Sequence, residues 1–229
     1  MDSLTFDLTQ TSLREVNHFL HQATSAIGSQ KVTILNPNGV HSLAAGLDAP
    51  IDIDIQGHTG YYTAGMNKLA NITIWGNAGT GVAENMMSGR VHVKGFASVS
   101  AGASAQGGLL IIDGDASLRC GISLKGADIV VGGSVGSFSG FMAQAGRMVI
   151  CGDAGDALGD SLYEAVLYVR GTIKSLGADA QLEPMTEADY NTVAELLTKA
   201  DLTHNPKDFK RVASARQLYH WNADANQDY

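Results

Sequence analysis

Apolar residues alternate with polar or small ones in short segments that recur along the middle of the chain. The pairs Ile53/Ile55, Ile72/Ile74, Val91/Val93, Leu110/Ile112, Ile129/Val131, Met148/Ile150 and Leu167/Val169 each stand two residues apart. Period-two alternation predicts short β-strands with these positions pointing inward. Two residues after each pair comes a glycine: Gly57, Gly76, Gly95, Gly114, Gly133, Gly152 and Gly171, in steps of 19 residues that never slip. A glycine there is expected to end the strand, taking positive φ at a corner where a Cβ would clash. Seven residues further on, only Gly or Ala occurs: Ala64, Ala83, Gly102, Gly121, Gly140, Gly159 and Ala178.

A 19-residue unit with one short strand signal cannot bury its own apolar face. Stacked coils can, because each strand pairs in parallel with the next and the inward positions form ladders. The chain is therefore expected to be all-β: a single-stranded parallel β-helix of seven 19-residue coils plus one imperfect coil, with short helices at both ends. Right-handed winding is the default for parallel crossovers. Stacking at about 4.8 Å per coil gives a rod of roughly 35 Å. The imperfect coil carries Val32 and Ile34, then Gly39 and Gly46, with Pro37 marking an atypical capping turn. The predicted organisation is 1–30 as a strand and helix cap, 31–183 as the β-helix, and 184–229 as a helix and partner-docking tail.

Open ends of a β-helix would template aggregation, so they need covers. Residues 12–26 read as an amphipathic helix with a Ser12/Glu15 capping box, and residues 186–200 as a second, with Thr186 and Asp189 at its start. These helices are expected to cap the rod, with partner binding as the other reading. Three residues before each corner glycine, an outward ladder runs Asp54, Thr73, His92, Ile111, Val130, Val149, Tyr168. Its last four positions are apolar and need a cover, either the chain's own terminal segment or a partner subunit. Tyr219, Trp221 and Tyr229 in the tail either pack along the rod or dock on a partner.

Composition narrows the classes. Of 229 residues, 27 are glycine and only 4 proline, with 45% hydrophobic, so the glycine serves a folded architecture rather than a linker. A net charge of -8 argues against nucleic acid as a partner. The start, MDSLTFDLTQ, has no basic and apolar leader pattern, so no signal peptide is expected. No apolar run is long enough to span a membrane, and two cysteines, Cys120 and Cys151, make no disulfide scaffold, so the expected location is the cytoplasm.

Candidate chemistry is thin. Seven histidines form no metal-ligand pair, and no C-x-x-C or G-x-S-x-G occurs. Cys120 and Cys151 read as inert buried thiols. GDAGDALGD lacks the ending of a phosphate loop, and Asp153, Asp156 and Asp160 do not repeat as a calcium roll needs. No catalytic, cofactor-binding or metal residue is assigned. Glu84 and Asn85 in GVAENMMSG, Arg119 and Lys125 in SLRCGISLKG, and Tyr219 and Trp221 are candidate partner contacts.

The unit G-x-x-G-x-x-x-G after a short strand is complete in Gly133/Gly136/Gly140 and Gly152/Gly155/Gly159. It resembles the GXGXG β-helix family, which includes the C-terminal domain of the glutamate synthase large subunit and a β-helical subunit of formylmethanofuran dehydrogenase. The segments GTGVAENMMSG, GDASLRCGISLKGADIVVGGSVG and VICGDAGDALGDSLYEAVLYVRG resemble the small β-helix subunits of N-methylglutamate synthases (methylamine–glutamate N-methyltransferases), over nearly the whole chain. That resemblance implies a non-catalytic scaffold in an enzyme that joins methylamine to L-glutamate, giving N-methyl-L-glutamate and ammonia. It implies an amidotransferase-like partner with an N-terminal cysteine and a glutamate-synthase-like partner carrying FMN and an iron–sulfur cluster. The alternatives are a scaffold of a formylmethanofuran dehydrogenase or formyltransferase–hydrolase complex, or a stand-alone β-helix binding protein.

Overall fold

The computed structural model describes residues 4–22 and 31–215. Its elements are β1 (Leu4–Asp7), α1 (Leu13–His21), β2 (Lys31–Leu35), β3 (Asp52–Gln56), β4 (Asn71–Ile74), β5 (Arg90–Val93), β6 (Leu109–Ile112), β7 (Lys125–Val131), β8 (Ala145–Ile150), β9 (Val166–Val169), β10 (Ala180–Glu183), α2 (Glu187–Lys199) and β11 (Lys210–Ser214). The strands form one 11-stranded sheet in the order β1-β2-β3-β4-β5-β6-β7-β8-β9-β11-β10. From β1 to β9 every pairing is parallel. Ile53 faces Ile72, Ile72 faces Val91, and the 19-residue register holds to Met148 facing Leu167. The molecule is a parallel β-solenoid whose inward ladders are fully buried.

A second parallel ladder closes the next side of each coil, running Thr59, Ala78, Ala97, Ala116, Val135, Ala154, Ile173. Small residues suit it because these positions lie over the core at a narrow corner. The third side is a broad turn in which left-handed residues alternate with others. In one coil these are Tyr62, Ala64 and Met66, at φ 59°, 57° and 53°. In another they are Arg119, Gly121 and Ser123, at 59°, 67° and 53°. A non-glycine residue there costs about 1–2 kcal/mol. Coil-to-coil backbone bonds offset that cost, such as Ala83 N–H to Thr63 O at 3.0 Å.

The two glycine ladders differ in cause. The expectation of positive φ at the corner glycines is corrected. Of the seven, only Gly57 has it, at 142°. The other six are glycine because the preceding coil comes too close. A Cβ on Gly76 would lie 2.6 Å from the carbonyl carbon of Gly57, and one on Gly152 would lie 2.6 Å from that of Gly133. Positive φ belongs to the ladder seven residues on, where Gly102, Gly121, Gly140 and Gly159 sit at 66–68°. Ala64 and Ala83 adopt the same conformation.

The imperfect first coil is present. Val32 faces Ile53, so it runs two residues longer than the rest. Helix α1 is the expected end cover. Its capping box is formed, Val16 and Leu20 are buried in the main core, and Asn17 bonds both Ser42 O and Ala44 N–H at 2.9 Å. Helix α2 is not an end cap. Val193, Leu196, Leu197 and Ala200, with Phe209, pack on Ile111, Val130, Val149 and Tyr168 in a second core. The chain's own terminal segment therefore covers the outward apolar stripe. The far end is closed instead by β11, antiparallel to β9, and by β10 on its other side.

Candidate functional site

The reactive side chains are held in ways that suppress reactivity. Cys120 and Cys151 are both buried and unpaired. Burial pushes the Cys120 thiol up to about 12 and the Cys151 thiol up to about 11, so neither is a thiolate at neutral pH. His92 is 3% exposed. Its Nε2 lies 2.5 Å from Asp113 Oδ1, and its Nδ1 lies 3.2 Å from Arg90 Nη2. A guanidinium nitrogen only donates, so Nδ1 accepts and Nε2–H donates to the carboxylate. Burial lowers the His92 pKa against the opposing pull of Asp113. The imidazole is thus neutral with both nitrogens engaged, a pin between two coils rather than a proton carrier.

The carboxylates of the acidic loop are engaged by their neighbours. Asp153 Oδ1 accepts Thr172 N–H at 2.7 Å, and Asp156 pairs with Lys174 at 2.7 Å. Asp160 accepts from Ser161 Oγ at 2.9 Å. Among the described residues no group of three His, Cys, Asp or Glu side chains is placed to hold a metal ion. No helix of the described residues is long and apolar enough to cross a membrane.

Of the candidate contacts, Glu84, Asn85 and Arg119 fall on the broad turn side, in two different coils, and Lys125 opens strand β7. Glu84 and Asn85 are half-buried, and Arg119 and Lys125 are exposed. Asn85 and Arg119 occupy left-handed positions, at φ 54° and 59°. That backbone favours Asn for its own reasons. Tyr219, Trp221 and Tyr229 lie outside the described residues.

Sequence reasoning missed the residue that follows each corner glycine. With one exception from His58 to Asp153, the residue after the corner glycine uses its side chain to accept the backbone N–H of its counterpart one coil on. His58 Nδ1 accepts Asn77 N–H at 2.9 Å, and Asn77 Oδ1 accepts Phe96 N–H at 3.1 Å. Asp115 Oδ1 accepts Ser134 N–H at 2.7 Å, Ser134 Oγ accepts Asp153 N–H at 2.9 Å, and Asp153 continues to Thr172. Phe96 is the exception, because its side chain cannot accept. The Asp115 N–H finds no acceptor among the described residues.

Phe96 is 52% exposed and Trp75, just before the previous corner glycine, is 50% exposed. Lys94 Nζ lies 5.8 Å from the Trp75 ring and 3.1 Å from Asp113 Oδ2. The same side carries exposed Tyr61, stacked on His41 at 4.1 Å, and exposed Leu118. Its continuation in later coils is lined by Ser134, Asp153, Thr172 and Lys174, with no large apolar residue. The signal was in the sequence, as a ladder of His, Asn, Asp and Ser interrupted once by Phe.

The chain is 54% identical to Protein GlxC of Rhizobium meliloti (strain 1021) over 224 residues, 97% of this chain and 98% of that relative. No family model matches it.

Proposed function

The chain belongs to the family of Protein GlxC, and we propose that it is a non-catalytic scaffold subunit of a glutamate-synthase-like N-methylglutamate synthase, working in the cytoplasm. In this reading it holds an amidotransferase-like subunit and an FMN and iron–sulfur subunit in register. FMN, the cluster and the nucleophilic cysteine then belong to those partners. Glu84, Asn85, Arg119, Lys125, Tyr219 and Trp221 are proposed contacts with them.

The observation that carries the proposal is a contrast. Among the described residues the thiols and the one buried imidazole are locked in inert states, while an exposed aromatic edge stands on a stiff rod. A solenoid fixes the spacing of points along its length, because every coil is bonded to the next. That property serves a subunit whose task is to hold two others at a set separation. The segments resembling the N-methylglutamate synthase subunits support the choice of enzyme.

Co-expression with the two proposed partners tests it. The tagged chain should recover both in fixed stoichiometry, with flavin absorbance in the complex. Methylamine-dependent formation of N-methylglutamate should require all three chains. Full activity of the two partners without this chain would refute the scaffold role.

A further inference from the structure

We propose that the Trp75–Phe96 edge is the docking site for an uncharged, apolar loop of a protein partner, which lies across the corner and offers a backbone carbonyl to the Asp115 N–H. The identity of that partner rests on the proposed function; the location of the site does not.

Three observations converge on this edge. First, the capping ladder is broken at one coil only, and the residue that breaks it is a large exposed aromatic. Asn at this position would cap Asp115 N–H as Asn77 caps Phe96 N–H at 3.1 Å. The ladder's own chemistry thus favours a polar residue, and a local rule broken without local gain marks a functional position. Second, Trp75 and Phe96 expose half their surface on neighbouring coils, where stability favours burying them or doing without them. Trp is among the residues enriched at the energetic centres of protein interfaces. Third, the charge pattern selects the occupant. Lys94 is paired with Asp113, and Asp115 is engaged with Ser134 N–H. The other corner side chains in these coils, Gln56, His58 and Asn77, are polar amides or an imidazole that accepts an N–H. An anionic ligand finds no unengaged cation here. A neutral chain segment finds two aromatic faces, a polar rim and one backbone donor with no protein acceptor among the described residues, which is the usual anatomy of an interface core.

The test compares the wild-type chain with Trp75→Ser, Phe96→Asn and, further along the same ladder, Asp153→Asn. Each is titrated against the purified amidotransferase-like and FMN subunits, and its melting midpoint is measured. Phe96→Asn should keep or raise the midpoint, because it completes the ladder, yet weaken binding to one subunit at least tenfold. Trp75→Ser should weaken the same binding at least tenfold, and Asp153→Asn should bind as wild type. Equal affinities for all four chains would overturn the site. If the wild-type chain binds neither subunit, the reading of its function fails, and the site is then read by oxidative footprinting of the assembly the tagged chain forms in its own cells. Protection of Trp75 and Phe96 supports it; solvent-like oxidation of both, or a chain that is monomeric there, overturns it. Self-association abolished by Trp75→Ser would assign the edge to a second copy and overturn the proposed occupant.

Discussion

Glycine does two separate jobs in the solenoid, and four of the seven coils hold both. At Gly152 a Cβ would meet the Gly133 carbonyl carbon at 2.6 Å, a backbone contact that cannot swing away. At Gly159 the φ is +66° and the nearest atom is the Leu167 Cδ1 at 3.2 Å, a side chain that can give. Gly152→Ala is therefore expected to cost about 2–3 kcal/mol or more through forced backbone movement. Gly159→Ala is expected to cost about 1 kcal/mol through left-handed strain. Urea unfolding of both variants checks the difference, and equal losses would contradict the assignment of causes. The distinction was legible in the residue types alone. The corner position is glycine in every coil, whereas the later position admits Ala64, Ala83 and Ala178. A position that tolerates Cβ is limited by backbone conformation, and one that never does is limited by space. Positive φ at the corner was the wrong inference because strand ends can turn without it.

At the scale of elements, α2 shows what a sequence states and what it leaves open. The helix was readable from its Thr186/Asp189 cap and from Val193, Leu196 and Leu197, which share one face. The stripe it covers was readable from Ile111, Val130, Val149 and Tyr168. That the two meet was not, since a partner could cover the stripe equally well. The polar lock on the contact shows why they meet. Tyr168 donates its hydroxyl to Asp189 Oδ1 at 2.7 Å, and Arg211 Nε reaches the same oxygen at 3.2 Å. Burial works against ionising Asp189, but bonds from Thr186 and Tyr168 outweigh it and hold its pKa below the usual value. Strand β11 was missed because KRVAS carries only one clear inward residue, Val212, and Phe209 precedes it without a period. Leu196→Ala should cost about 2–4 kcal/mol, as a large-to-small change in a closed core. Tyr168→Phe should cost about 1.5–3 kcal/mol, for one lost buried hydrogen bond to a carboxylate. Thermal midpoints report both, and an unchanged midpoint in Leu196→Ala would mean that α2 is not held to the rod.

The whole molecule is a solenoid with unlike halves, so coils are not equally replaceable. In a repeat stack each unit contacts only its neighbours, and removal of one whole unit preserves the register of the rest. Coils of the first half meet that condition among the described residues, since no helix packs on their strand face, where the outward ladder is the polar Asp54, Thr73 and His92. Coils of the second half do not, because α2 and β11 tie several of them together at once. Deleting residues 58–76 joins Gly57 to Asn77, removes β4 so that β5 meets β3 in the same register, and keeps every pairing after β5 and the whole second core. Deleting residues 134–152 removes the same number of residues but takes out Val149 and Cys151, leaving α2 facing a shortened stripe. The first deletion should give a folded chain with a midpoint lower by a few degrees, roughly the effect of one lost interface in a domain this size. The second should lose α2 docking and fall much further, and calorimetry distinguishes the two. Equal losses would show that the rod alone sets stability and that α2 merely rests on it. The same asymmetry bears on the candidate site. The half that can spare a coil for its own stability is the half that displays Tyr61, Trp75 and Phe96, so the proposed docking edge lies where the fold constrains the number of coils least.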